Sequence, residues 1–224
     1  MSMNFDTLRR RLLRALPAVV LAALGGFVSQ PSRAKDDQAT ERLRAFVDGV
    51  GSGRARFEQT VTAADGASRK ASSGHFEFLR PGRFRFDYER PYPQLVVSDG
   101  ARVWLHDPDL QQASVRRVDD ALGASPAALL AGGSLERDFV LAPDPPRDGR
   151  DEQLAWVRAT PRAEDSGFAW IAVGLRGALP ERIEILDRFG QRTMLRFVDF
   201  EPDVPIERGR FVFTPPAGTD VVEQ

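Results

Sequence analysis

Two histidines, His75 and His106, and the adjacent pair Ser98-Asp99 are the side chains in this 224-residue sequence with the best claim to catalysis. A serine nucleophile, a histidine base and a carboxylate could together transfer an acyl group. The surrounding residues argue against it. No Gly-x-Ser-x-Gly turn presents the serine. His106 is followed by Asp107 in a run that reads as a strand, where neighbouring side chains face opposite ways. Neither histidine stands near carboxylates at metal-ligand spacing, and there is no cysteine, no phosphate-cradling glycine loop and no metal motif. Asp36-Asp37 and Asp119-Asp120 read as helix-start acids that complement the helix dipole. The expectation is a protein that is not an enzyme, with no catalytic residue, no cofactor and no metal. An exported hydrolase is the alternative in that class.

The sequence has patterned apolar surface instead. In "GHFEFLRPGRFRFDYERPYPQLVVSDG", Gly74 to Gly100, the side chains of Phe84, Phe86 and Tyr88 alternate with Arg83, Arg85, Asp87 and Glu89. An extended chain puts the aromatics on one face and the charges on the other. A second apolar layer comes from two helical segments. In "DDQATERLRAFVDGVGSG", Ala39, Leu43, Phe46, Val47 and Val50 recur at helical spacing, predicting an amphipathic helix near 37–51 with Asp36 or Asp37 as cap. In "SPAALLAGG", Ser125 caps, Pro126 fits the first helical position and the following residues have no polar face, predicting a short helix over 125–132. A helix that short needs packing to exist. Two accounts fit these layers: helices packed permanently on a sheet as an ordinary α+β core, or helices that lift as a lid from a cavity for an apolar ligand.

The rest of the chain reads as strands. Alternating runs at 54–62, 72–80, 83–89, 94–98, 102–107 and 112–118 are separated by turn dipeptides such as Asp65-Gly66, Pro81-Gly82 and Asp99-Gly100. Further runs follow at 137–143, 153–161, 167–175, 179–187, 191–200 and 209–216, with a hairpin turn near Gly190. About 10–12 antiparallel strands with few helices tend to curl or close. The segment Pro143 to Gln153 reads as a polar, exposed loop.

The first residues carry Arg9, Arg10, Arg11 and Arg14, then an apolar run, then Ser32-Arg33-Ala34. This is the pattern of a secretory signal over 1–34, with cleavage expected after Ala34. The remainder, 35–224, is 190 residues with 26 Lys+Arg against 31 Asp+Glu, enough for one domain with a core. Its negative balance argues against a nucleic-acid partner and against steady adhesion to anionic lipid. Without cysteine the exported chain has no disulfide and no residue to carry an N-terminal lipid anchor.

Phe57-Glu58-Gln59, then "GHFEFLRPGRFRFDY", "QLVVSDGARVWLHDPDLQQASV", "SPAALLAGG" and the closing "FVFTPPAGTDV" occur in an order that resembles the LolA family of periplasmic lipoprotein carriers. The resemblance runs from about Asp36 to Val222. Phe86 stands where a Trp is common, His106 where a Tyr or Phe is usual, and Pro143 to Arg150 has no counterpart. The resemblance implies an α+β fold: an incomplete, strongly curved antiparallel barrel with a helical lid over an apolar concave face. It implies a monomeric periplasmic carrier that takes acylated lipoproteins from an inner-membrane ABC transporter and hands them to an outer-membrane receptor lipoprotein. The cavity would be lined by Phe57, Phe76, Phe78, Phe84, Phe86, Tyr88 and Trp104, and the lid formed by Leu43, Phe46, Val47, Leu129 and Leu130. Arg80 would latch the lid by hydrogen bonds to its backbone. A lipid-sensing or amphiphile-binding periplasmic domain is the alternative within this architecture.

Overall fold

A computed structural model describes residues 32–118, 130–132, 135–144, 147, 150–164 and 166–223. Residues 1–31 of the expected signal segment (1–34) and most of the second expected lid helix, Leu129 included, lie outside them. Twelve strands form one sheet: β1 (Ser52–Thr62), β2 (Arg69–Leu79), β3 (Arg83–Arg90), β4 (Gln94–Asp99), β5 (Arg102–Asp107), β6 (Gln112–Arg117), β7 (Phe139–Pro143), β8 (Ala155–Pro161), β9 (Phe168–Arg176), β10 (Leu179–Asp187), β11 (Arg192–Pro202) and β12 (Asp220–Glu223). Their spatial order is β12-β6-β5-β4-β3-β2-β1-β11-β10-β9-β8-β7. Neighbours are antiparallel except β12, which runs parallel to β6. The sheet is open, with β12 and β7 at its edges.

The turns that make this meander are those the dipeptides predict. Gly66, Gly82, Gly100 and Gly190 all take positive φ, from 71° to 97°, a region that glycine enters without a Cβ clash. Gly74 is needed for another reason. It faces Phe57 across β1/β2, and a Cβ there would stand 1.9 Å from the carbonyl oxygen of Asp87.

One face of the sheet and one helix make the main core. Helix α1 (Ser32–Gly49) packs on β7, β8 and β9, while Phe46 also reaches Phe78 of β2 and Phe200 of β11. Residues from β1–β3 and β8–β11 therefore share one buried cluster with Ala39, Leu43, Phe46 and Val47. The helix starts at Ser32, ahead of the expected Asp37 and of the expected cleavage after Ala34, because nothing between Ser32 and Gln38 breaks it; the cleaved chain would keep it from Lys35, and it stops at Gly49 with a last bond from Val50 N to Phe46 O. A single helical turn, α2 (Leu135–Asp138), precedes β7.

The expected strand over 209–216 is absent. Arg208–Phe211 is a 3-10 turn, Val212 to Pro216 is irregular, and the last strand is β12 instead. The alternation that suggested a strand is genuine: Phe211 is buried and Val212 is 65% exposed. The segment, however, lies across the outer face of β3–β5, where Phe213 meets Trp104 and His106 at 5.5 and 5.1 Å. Pro215 and Pro216 lack the N–H groups a ladder would require.

Candidate functional site

The inner face of β1–β3 is a continuous aromatic surface. Register places Phe76 opposite Phe86, Phe78 opposite Phe84, and Phe57 opposite Phe197. The rings meet in tilted and edge-on pairs: Phe76–Phe86 at 4.5 Å, Phe57–Tyr88 at 4.9 Å, Phe57–Phe86 at 5.2 Å and Phe76–Phe197 at 5.3 Å. Such pairs contribute about 0.5–1.5 kcal/mol each beyond their area. Phe57, Phe76, Phe78, Phe84 and Phe86 are each at most 5% exposed, and Tyr88 is half-buried. The Tyr88 hydroxyl donates to Gln59 Oε1 at 3.0 Å. Burial pushes its pKa up to about 12, against a smaller opposing effect of that hydrogen bond.

Helix α1 covers part of this surface. Leu43, Phe46 and Val47, at i, i+3 and i+4, are buried in the same cluster as the aromatics, as are Leu130 and Ala131. The turn between β2 and β3 ties both helical segments to the sheet. Arg80 Nε donates to Val50 O and its Nη1 to Gly132 O, each at 2.8 Å. The backbone repeats the connection: Arg80 N donates to Gly51 O at 2.9 Å and Gly82 N to Ala131 O at 2.8 Å. All four acceptors lie at or just past helix C-terminal ends, where carbonyls lack intrahelical partners. The guanidinium stacks over Phe46 and Phe78, 5.5 and 5.3 Å from the ring centres. Burial pulls its pKa down to about 10, with Asp48 acting weakly in the other direction. At neutral pH it therefore keeps its charge.

Beyond the covered part lies a cavity of about 460 Å³, within the roughly 300–1,000 Å³ typical of ligand sites. Phe86, Tyr88, Val96, Val103 and Leu105 form one wall, and Phe168, Ile185 and Leu195 the other. Phe86 and Tyr88 thus join the covered cluster to the open cavity.

Trp104 is not in that wall. Val103 and Leu105 face inward, so Trp104 between them points outward and packs on Phe213. Alternation in "RVWLHD" could have identified Val103 and Leu105; it could not say which face was inner. The imagined triad is likewise dispersed. Ser98 donates to Gly82 O and accepts from Gly100 N, and Asp99 accepts from the backbone of Ala101 and Arg102. His106 lies on the outer face, and His75 pairs with Glu89 at 3.1 Å, half-exposed on that same face.

The outer face of β8–β11 carries a feature the sequence reading missed. Arg150, 3% exposed, donates to Asp144 at 2.8 Å and Glu184 at 2.7 Å, both carboxylates being equally buried. Arg147 and Arg158 also reach Asp144, and Arg192 reaches Glu184. Arg150 stacks 4.3 Å over Trp156, and Arg158 4.7 Å over Trp170. Asp144, Arg147 and Arg150, from the segment expected to be an exposed loop, are anchored here.

Comparison with known proteins points in one direction. The family model for the outer membrane lipoprotein carrier protein LolA matches residues 48–214. A protein described as an outer-membrane lipoprotein carrier protein from Methylibium petroleiphilum is 55% identical over 83% of this chain and 90% of its own. One of the same description from Leptothrix cholodnii is 49% identical over 96% and 98%, and one from Bordetella avium 42% over 96% and 99%. Among solved structures, a LolA superfamily protein from Nitrosomonas europaea superposes with a TM-score of 0.50 at 11% identity, covering 80% of this chain and 97% of that one. At that identity the likeness concerns the fold alone.

Proposed function

Because the chain belongs to the LolA family of outer membrane lipoprotein carrier proteins, we propose that it is a periplasmic carrier that shields the acyl chains of lipoproteins between the two membranes. Residues 1–34 serve as its cleaved export signal, and 35–224 work as a single monomeric domain. It receives cargo from an inner-membrane ABC transporter and releases it to an outer-membrane receptor lipoprotein, without catalysis.

Withdrawing hydrocarbon from water is worth about 0.8 kcal/mol per methylene, so one 16-carbon chain is worth on the order of 12 kcal/mol. Several such chains cannot cross an aqueous gap uncovered. A carrier must recover much of that energy and still let go. In this reading Phe57, Phe76, Phe78, Phe84, Phe86 and Tyr88 form the acyl-binding surface. Leu43, Phe46, Val47, Leu129 and Leu130 cover it when no cargo is bound. Acyl chains must displace the lid, which lowers net affinity, and non-directional contact tolerates chains of varied length. Arg80 latches the covered state.

The observation that carries this reading is that Phe86 and Tyr88 border a largely apolar cavity while Phe86 shares one cluster with Phe46 of α1. A guest entering there would compete with the helix for the same aromatic wall. The test is depletion of the protein in its native host, followed by fractionation. Outer-membrane lipoproteins should accumulate at the inner membrane; unchanged sorting would contradict the proposal. Protein purified from periplasm should also carry acylated protein detectable by mass spectrometry.

A further inference from the structure

The cavity is not purely apolar, and its polar members are unevenly supplied with partners. Arg116 and Ser114, two residues apart on β6, line it together. Arg116 is half-buried and lies opposite Val103 in register. Asp187 lines the same cavity, but its Oδ1 accepts the backbone N–H groups of Phe189 and Gln191 in the β10–β11 turn. Among the described residues no side-chain hydrogen bond or ion pair engages the Arg116 guanidinium, whose backbone is paired in the β5–β6 ladder. Other arginines set against apolar surface do have partners: Arg80 donates to two carbonyls, though its Nη2 is left without one, and Arg150 donates to two carboxylates.

A guanidinium presents five N–H donors and no acceptor. Water satisfies them while the cavity is open. A guest that expels this water leaves them unpaired, at a cost, unless it brings oxygen to the same place. Hydrocarbon tails cannot. We propose that Arg116 is a polar anchor of the cavity, receiving acceptor oxygens at the head of an acylated guest: an ester carbonyl, a carboxylate or a phosphate. The anchor rests on the carrier reading and deepens it, because it fixes which end of the guest lies beside β6. Aromatic and aliphatic walls supply affinity for tails of any length, and Arg116 supplies orientation and preference for a head that accepts hydrogen bonds. A hydrogen bond to a charged group is worth about tenfold or more in affinity.

The experiment measures displacement of Nile red, a neutral dye, from the full mature protein by four 12-carbon amphiphiles below their micelle concentrations. These are glyceryl monolaurate, dodecanoate, dodecyl phosphate and dodecyltrimethylammonium. Wild type should bind oxygen-headed probes about tenfold or more tighter than the ammonium, and Arg116→Leu should bring all four within about twofold by weakening the former. Arg102→Leu, removing an exposed arginine of the adjacent strand, should leave the ranking unchanged. Should Arg116→Leu fail to fold, Arg116→Gln carries the same comparison. A wild-type preference that includes the monolaurate identifies the ester of an acylated guest; one confined to dodecanoate and dodecyl phosphate identifies an anionic head. Either supports the anchor if it vanishes with Arg116. A ranking that survives Arg116→Leu overturns the anchor and leaves the carrier reading standing. A wild-type protein that binds none of the four overturns both.

Discussion

The two faces of the sheet are held by different forces. On the outer face of β8–β11, Arg150 is fixed between Asp144 and Glu184 by directional, charge-assisted hydrogen bonds, with Trp156 against its plane. On the inner face, the aromatic rings of β1–β3 pack on one another and Phe78 meets Phe46, through contacts that have no preferred partner, and the directional bonds are concentrated at one turn, Arg80 to Gly82. A buried ion network resists any movement, because parting its members strands a charge. An apolar face can exchange one greasy neighbour for another at little cost. One side of the sheet is thus held by bonds that resist parting, and the other by contacts that a different apolar neighbour could equally make.

The contrast can be broken in order of effect. Glu184→Ala leaves Arg150 buried with half its partners and should cost about 3–5 kcal/mol in urea unfolding; a loss under about 1 kcal/mol would show that the outer network fixes little. Arg80→Leu removes two of four bonds at the β2–β3 turn. It should lower the global value by only about 1–2 kcal/mol, yet raise amide exchange in α1 about tenfold or more. Equal exchange in variant and wild type would reduce Arg80 to a packing residue. Leu105→Glu puts a charge on a half-exposed cavity wall. Its stability should stay within about 1 kcal/mol of wild type, while Nile red binding falls; retained dye binding would remove Leu105 from the site.

A pH dependence comes last, because it does not act at neutral pH. The pKa of Tyr88 is raised in the folded chain, from the usual 10 to about 12, so between these values the native state holds a proton the unfolded state has lost. Its contribution is complete below pH 10 and is lost as pH rises through about 12. Urea midpoints of wild type should therefore fall relative to Tyr88→Phe over that window. Parallel curves would mean that Tyr88 ionises freely, beside an open cavity.

Most of the sheet was legible because its information is local. Eleven strands lie where period-two alternation and Gly turns put them, and the inward set Phe76, Phe78, Phe84, Phe86 follows from that alternation once one face is known to be buried. What was not legible is long-range. The face of Trp104 depends on Phe213, more than a hundred residues later, which covers the outer side. A string of charges from Asp144 to Arg150 reads as a solvated loop, and nothing local announces that Arg150 will be buried against Glu184. The same holds for Arg80: the chain shows an arginine before a proline, while its acceptors, Val50 and Gly132, come from distant segments.

Hydrogen exchange read by mass spectrometry, with and without a tripalmitoylated peptide, tests the central claim most directly. If the helix is a separable cover, amides of 40–49 exchange by a local opening well below the global unfolding energy. They then lose protection when the peptide is added, while β8–β10 remain unchanged. If those helical amides open only with β9, and the acylated peptide leaves them as protected as before, the helix is a permanent part of the core and the account fails.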